Sequence, residues 1–173
     1  MPLALTDPRW NELEGSYGDT ADVVAWLTEA QQEGLSRERL GDLINEVAHQ
    51  GDTSTAMYAV ATHLIELARR ATPEARLPLL IHAGLIYANS DRPKAVRCPL
   101  FLEQEFTSSA SEGAKMLAQL VTCAADFYEF KWAVAALAGF MGHRSFGRFL
   151  DGLELYQGRF HHALLDGPFP PEI

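Results

Sequence analysis

One pattern governs what this chain can fold into: apolar residues recur at i, i+3, i+4 and i+7 in one segment after another. In RERLGDLINEVA, residues 37–48, Leu40, Leu43, Ile44 and Val47 hold that spacing, which puts four apolar side chains on one stripe of a helix. Such a helix has a single buried face and needs a neighbour to cover it. Ser36 is placed to cap its start, and Gly51 stands where a left-handed residue would end it.

The next segment repeats the logic with Met57, Val60, Ala61, Leu64 and Ala68. In ATPE, residues 71–74, Thr72 and Pro73 announce a third helix, since proline is tolerated where the first helical N–H has no partner anyway. Its stripe is Leu77, Leu80, Ile81, Gly84, Leu85 and Ala88, with Pro78 early enough to be accommodated, and Asn89-Ser90-Asp91 closes it. SASE at 109–112 has the form of a capping box ahead of Leu117, Leu120, Val121 and Ala124, and DFYE at 126–129 has a similar form. WAVAALAGFM, residues 132–141, contains no polar residue, which predicts a central core helix. Phe146, Phe149, Leu150 and Leu153 predict a last helix before DGPFPPEI, whose prolines end regular structure. No strand is expected.

The expected fold is all-α, with seven or eight helices joined by short turns that favour antiparallel neighbours. A weak internal repeat narrows it further. YAVATHL at 58–64 resembles WAVAALA at 132–138, and Ala-Val recurs at 59, 95 and 133 with Val23-Val24 upstream. Steps of this size match one helical hairpin per repeat and predict a right-handed α-α superhelix. Residues 1–173 are expected to form a single domain, with 166–173 as a proline-rich tail.

Charge restricts the partners. The chain carries a formal −9, distributed as −7 over residues 1–50, +2 over 51–100 and −4 over the remainder. A phosphate backbone calls for a cationic face, so nucleic acid is disfavoured, whereas a basic protein partner is favoured. No apolar run approaches the roughly 18 residues that cross a bilayer, and the N-terminal MPLALTDPRW lacks a signal-like core. A cytoplasmic location is expected, with Cys98 and Cys123 as small core fillers rather than a disulfide.

Particular residues carry a resemblance. Tyr17-Gly18 precedes a short helix, His49-Gln50-Gly51 ends the next, and Ala59-Val60-Ala61 opens an Ala-rich one. From LEGSYGDTADVVAWL through LINEVAHQGDTSTAMYAVATHLIELA the chain resembles bacterial HEAT-like helical-repeat proteins, some of which resemble immunity proteins of polymorphic toxin systems. It departs from them at Ala61, where the relatives usually have Pro. The resemblance implies a helical-repeat fold and a protein-binding role.

Candidate chemistry is sparse. His49, with Gln50, Asp52 and Thr53 beside it, has the residue types of a general-base corner, but a His in the last helical turn also suits the helix dipole. The structural role is the expectation, with a partner contact by His49, Gln50 and Asp52 left open. His63 and His82 flank a helical hairpin and, with Tyr87, are candidates for a pocket between helices. No histidine pair has helical metal-ligand spacing, so no metal and no cofactor is expected. Glu103 with Glu105 and Asp126 with Glu129 define no shared cleft, and Arg92, Lys94 and Arg97 read as a solvated loop. Trp10, Tyr17 and Trp26 are core or interface anchors within the acidic N-terminal region.

The leading expectation is a non-enzymatic protein-binding module, with Asp19, Asp22 and Glu29 on an acidic face that meets a basic partner. The rivals are a HEAT-like enzyme or nucleic-acid-binding protein and a small-ligand carrier. Self-association is left open.

Overall fold

A computed structural model describes residues 1–48, 53–156 and 159–162. After a 3₁₀ turn at Pro8–Glu12 come α1 (Ala21–Glu33), α2 (Arg37–Val47), α3 (Ala56–Arg70) and α4 (Pro73–Asn89). Then follow α5 (Leu100–Ala118), a 3₁₀ turn at Val121–Cys123, α6 (Phe127–Phe140) and α7 (Arg144–Asp151). The body is helical. Beyond it β1 (Leu153–Tyr156) and β2 (Arg159–His162) pair antiparallel with Leu153 opposite His162. The sequence reading expected no strand there and extended the last apolar stripe through Leu153, but Gly152 caps α7 and ends it.

Several helix ends follow the expected chemistry. Ser36 accepts a hydrogen bond from Arg39 N at the start of α2, and Pro73 opens α4. Asp126 accepts from Glu129 N, while Glu129 reaches back to Ala125 N, so DFYE is a working cap. SASE is not. It lies inside α5, which starts after Pro99, and Ser109 Oγ turns to the helix's own carbonyl of Glu105 at 2.9 Å. A Ser-x-x-Glu pattern caps only where the serine backbone leaves the helix; here Glu112 pairs with Arg69 of α3 instead.

The core runs without interruption from Leu3 to Phe140. Its centre is α3, not the WAVAALAGFM helix. Every residue from Ala56 to Ile65 is buried, whereas Trp132 of α6 and Met141, which caps that helix, are 40% and 60% exposed. The α3 run contains no residue larger than Tyr58 and many alanines, so neighbours approach it from all sides. Tyr87 of α4 stacks on Phe106 of α5 at 3.9 Å and 4°, and Phe106 in turn meets Tyr58 of α3 edge-on at 4.9 Å. These rings tie three helices together, and Tyr87 Oη donates to Phe106 O at 2.5 Å, which satisfies its buried hydroxyl.

Small residues let α4, α6 and α7 approach more closely. A methyl added to Gly84 would lie 2.6 Å from Ala136 Cβ and 2.6 Å from its carbonyl oxygen, and one on Gly147 would lie 2.7 Å from Ala135 O. The last helix is therefore held through Gly147 rather than through its phenylalanines: Phe146 is 54% exposed and Phe149 40%. The expected buried stripe of α7 is thus partly a surface. Cys123 is exposed and so is not a core filler, whereas Cys98 is half-buried and packs against the core; both thiols are free. The Ala95-Val96 step of the proposed repeat falls in the loop between α4 and α5, outside any helix.

Candidate functional site

The chain before α1 and the corner between α2 and α3 form one clasp. Gly15 and Gly18 bridge in a tight turn, with Gly18 at φ 128°, a conformation glycine adopts without strain. This turn docks on the corner: Ser16 N donates to Glu46 O at 2.5 Å, Glu14 N to Thr55 Oγ1 at 2.7 Å, and Ala56 N to Glu14 O at 3.1 Å. Ser54, buried, closes the end of α2 by donating its hydroxyl to Val47 O at 2.9 Å. Thr53 Oγ1 accepts from Val96 N at 2.9 Å and ties in the α4–α5 loop. Among the described residues of the corner, Thr53, Ser54 and Thr55 are thus all engaged in bonds to backbone. His49, Gln50 and Asp52 lie outside the described residues.

A second feature was not legible from motifs. Helices α2, α4 and α6 line a cleft of ≈ 800 Å³, within the range of about 300–1,000 Å³ typical of small-molecule sites. Leu40 and Ile44 from α2 and Pro78, Ile81, Leu85 and Ile86 from α4 give it apolar walls. Tyr128 and Trp132, one turn apart on α6, have ring centroids 6.2 Å apart and are each about two-fifths exposed.

The polar lining has distinct states. His82 is pushed down to about 4, because burial penalises its cation and the Arg37 guanidinium adds repulsion. Its imidazole is therefore neutral at physiological pH and has no hydrogen-bond partner among the described residues. Asn89 donates to Leu85 O at 2.8 Å, while its side-chain carbonyl, shut off from solvent, has no partner among the described residues. Asp126 and Glu129 are engaged at the start of α6. Burial raises Asp151, with Lys131 and Arg92 acting the other way.

Lys131 is the least expected residue here. It is 6% exposed, yet its ammonium donates to Asp151 O at 2.9 Å and Leu153 O at 2.8 Å, and lies over the Tyr128 and Trp132 rings. A lysine from α6 thus caps α7, since its charge suits the negative C-terminal end of that helix.

The pocket trio expected from sequence does not assemble. His63 Nε2 bonds Leu3 O at 2.9 Å beside Trp10; burial lowers its pKa, with the bond to Leu3 acting the other way. Tyr87 belongs to the aromatic core, and only His82 lines the cleft. Glu105 pairs with the N-terminal ammonium, and Glu103 stands apart from it on α5. Trp10 is buried, Trp26 lies beneath the Arg39 guanidinium at 5.2 Å, and Tyr17 is 66% exposed. Asp19, Asp22 and Glu29 are exposed; Asp19 accepts from Ala21 N, and Glu29 lies 4.0 Å from Arg39. Arg92, Lys94 and Arg97 lie in the α4–α5 loop.

Sequence reasoning missed Tyr128, Trp132 and Lys131. The available signal was a lysine flanked by aromatics at the head of a helix whose only other charged residue is Glu129. Among the described residues no group of three His, Cys, Asp or Glu is arranged to hold a metal ion, and no helix is long and apolar enough to cross a membrane. Searches against family models, curated proteins and solved structures found no match to this chain.

Proposed function

We propose that the chain is a non-enzymatic protein-binding module of stacked helical pairs, α1/α2, α3/α4 and α5/α6, in a HEAT-like superhelix. The packing supports this reading: α3 touches both α1 and α5, and α4 packs most heavily on α6 and α3. The first helices α1, α3 and α5 are thus successive neighbours, and so are the second helices α4 and α6, while α2 packs on α1 and α3.

The observation that carries the binding role is the aromatic surface of α6 and α7. Phe130 of α6 and Phe146 of α7 are 46% and 54% exposed. Large rings left in water on two helices in contact are the residue types that anchor protein interfaces. The exposed acids Asp19, Asp22 and Glu29 steer a basic partner by long-range attraction, which raises association rate more than affinity. By resemblance, the concrete form is an immunity-like inhibitor of a toxin.

Co-expression with the proteins encoded beside it tests the reading. A basic neighbour that is retained by the wild-type chain should be lost from a Phe130→Ala, Phe146→Ala variant of unchanged helicity. Its association should slow steeply at low salt in the triple Asp19→Lys, Asp22→Lys, Glu29→Lys variant. No retained neighbour, or retention indifferent to both sets, would overturn it.

A further inference from the structure

We infer that the cleft between α2, α4 and α6 binds a small planar aromatic acid, with its ring against Tyr128 and Trp132, its carboxylate toward Arg37, and His82 supplying a hydrogen bond. This goes beyond the protein-binding reading and stands on different residues.

Size and wall chemistry come first. A volume of ≈ 800 Å³ with aliphatic walls and two partly exposed rings suits a flat apolar body. The charge of the ligand follows from which lining groups are already satisfied. Asp126 and Glu129 accept backbone N–H bonds at the head of α6, and Asp151 faces the attraction of Lys131 and Arg92. Arg37 remains: it is exposed, lines the cleft, and has no carboxylate partner among the described residues. A cationic ligand is disfavoured, because Lys131 Nζ already lies 5.7 Å and 5.2 Å from the two ring centroids.

Polar contacts inside the cleft complete the argument. His82 has no partner among the described residues, and a neutral imidazole offers one donor and one acceptor. Asn89 lines the same cleft with an unsatisfied side-chain carbonyl. A ligand donor that draws this carbonyl outward removes the cost of leaving it buried and unbonded.

Titration calorimetry of the full chain with indole-3-acetate, indole and benzyltrimethylammonium tests the proposal. The acid should bind tighter than indole, and the cation weakest. Arg37→Ala should cut affinity for the acid about tenfold and leave indole unchanged. Trp132→Ala should weaken both about tenfold, and His82→Leu should weaken both. Phe146→Ala, which alters the protein-binding surface, should change neither. The proposal is overturned if none of the probes binds, if the cation binds best, or if the acid binds Arg37→Ala as tightly as wild type. Arg37 is exposed, so its variant remains folded even if Trp132→Ala does not.

Discussion

Gly84 of α4 faces Ala136 of α6 so closely that a single methyl on the glycine would lie 2.6 Å from both the alanine Cβ and its carbonyl oxygen. The obstruction includes backbone, which cannot swing aside as the tip of a side chain can. Gly84→Ala should therefore destabilise the chain by about 1–3 kcal/mol in urea unfolding, despite alanine's better helix propensity. Gly41, also within a helix but with open space around it, is the control. Gly41→Ala should stabilise by about 0.5–1 kcal/mol.

Lys131 holds the end of α7 through two carbonyls. Lys131→Met keeps the length and apolar stem but removes the charged donor, so it should cost about 1.5–3 kcal/mol. Hydrogen exchange should accelerate first at the end of α7, with α3 and α4 little affected. Uniform acceleration throughout the chain would contradict a local capping role.

The buried His63 and the half-buried His82 give stability a pH dependence of defined sign. Both His63 and His82 are lowered from the ordinary 6.5, His82 to about 4, chiefly by burial. The unfolded chain therefore binds more protons than the folded one in this window, and stability falls as pH drops from about 6.5 toward about 4. From about one pH unit above 6.5 both imidazoles are neutral in either state, so their contribution is constant. NMR titration should place the His82 midpoint near 4, and His82→Leu should flatten the decline. Below that window Asp7, held down to about 2 by its bonds with Arg9, adds a separate loss as its carboxylate is protonated.

The corner serine is a simple test of the clasp. Ser54→Ala removes the bond to Val47 O without opening space, and its loss should lower the unfolding midpoint by the equivalent of about 1 kcal/mol. Thr53→Ala should act at a distance, loosening the α4–α5 loop through Val96. An unchanged exchange rate at the Val96 amide would refute that link.

The helices were legible because their information is local. Ser36, Pro73 and Asp126 act within a turn of their own positions, and stripes such as Leu40, Leu43 and Val47 are indeed buried. What failed depended on distant chain. Ser109-x-x-Glu112 has the letters of a cap, but α5 had already begun at Leu100. The Phe146 and Phe149 stripe looks like a core face, yet the approach of Gly147 to Ala135 and Ala88 fixes which side of α7 turns inward. His63 and His82 are close in sequence to one hairpin, but Leu3 claims the first and the cleft the second. The cleft itself arises from three helices separated by long stretches of chain, and no window of sequence contains it.

The clasp has a kinetic meaning. Helices α3 and α4 are joined by two residues and pack along their length, so their pairing closes a short loop at little entropic cost. The bonds from Glu14 and Ser16 cross a much longer span, to Thr55, Ala56 and Glu46, and have nothing to dock on until the α2–α3 corner exists. The glycine turn before α1 is therefore a late event in folding and among the first to open under native conditions. Its bonds report the completion of the fold rather than its nucleation.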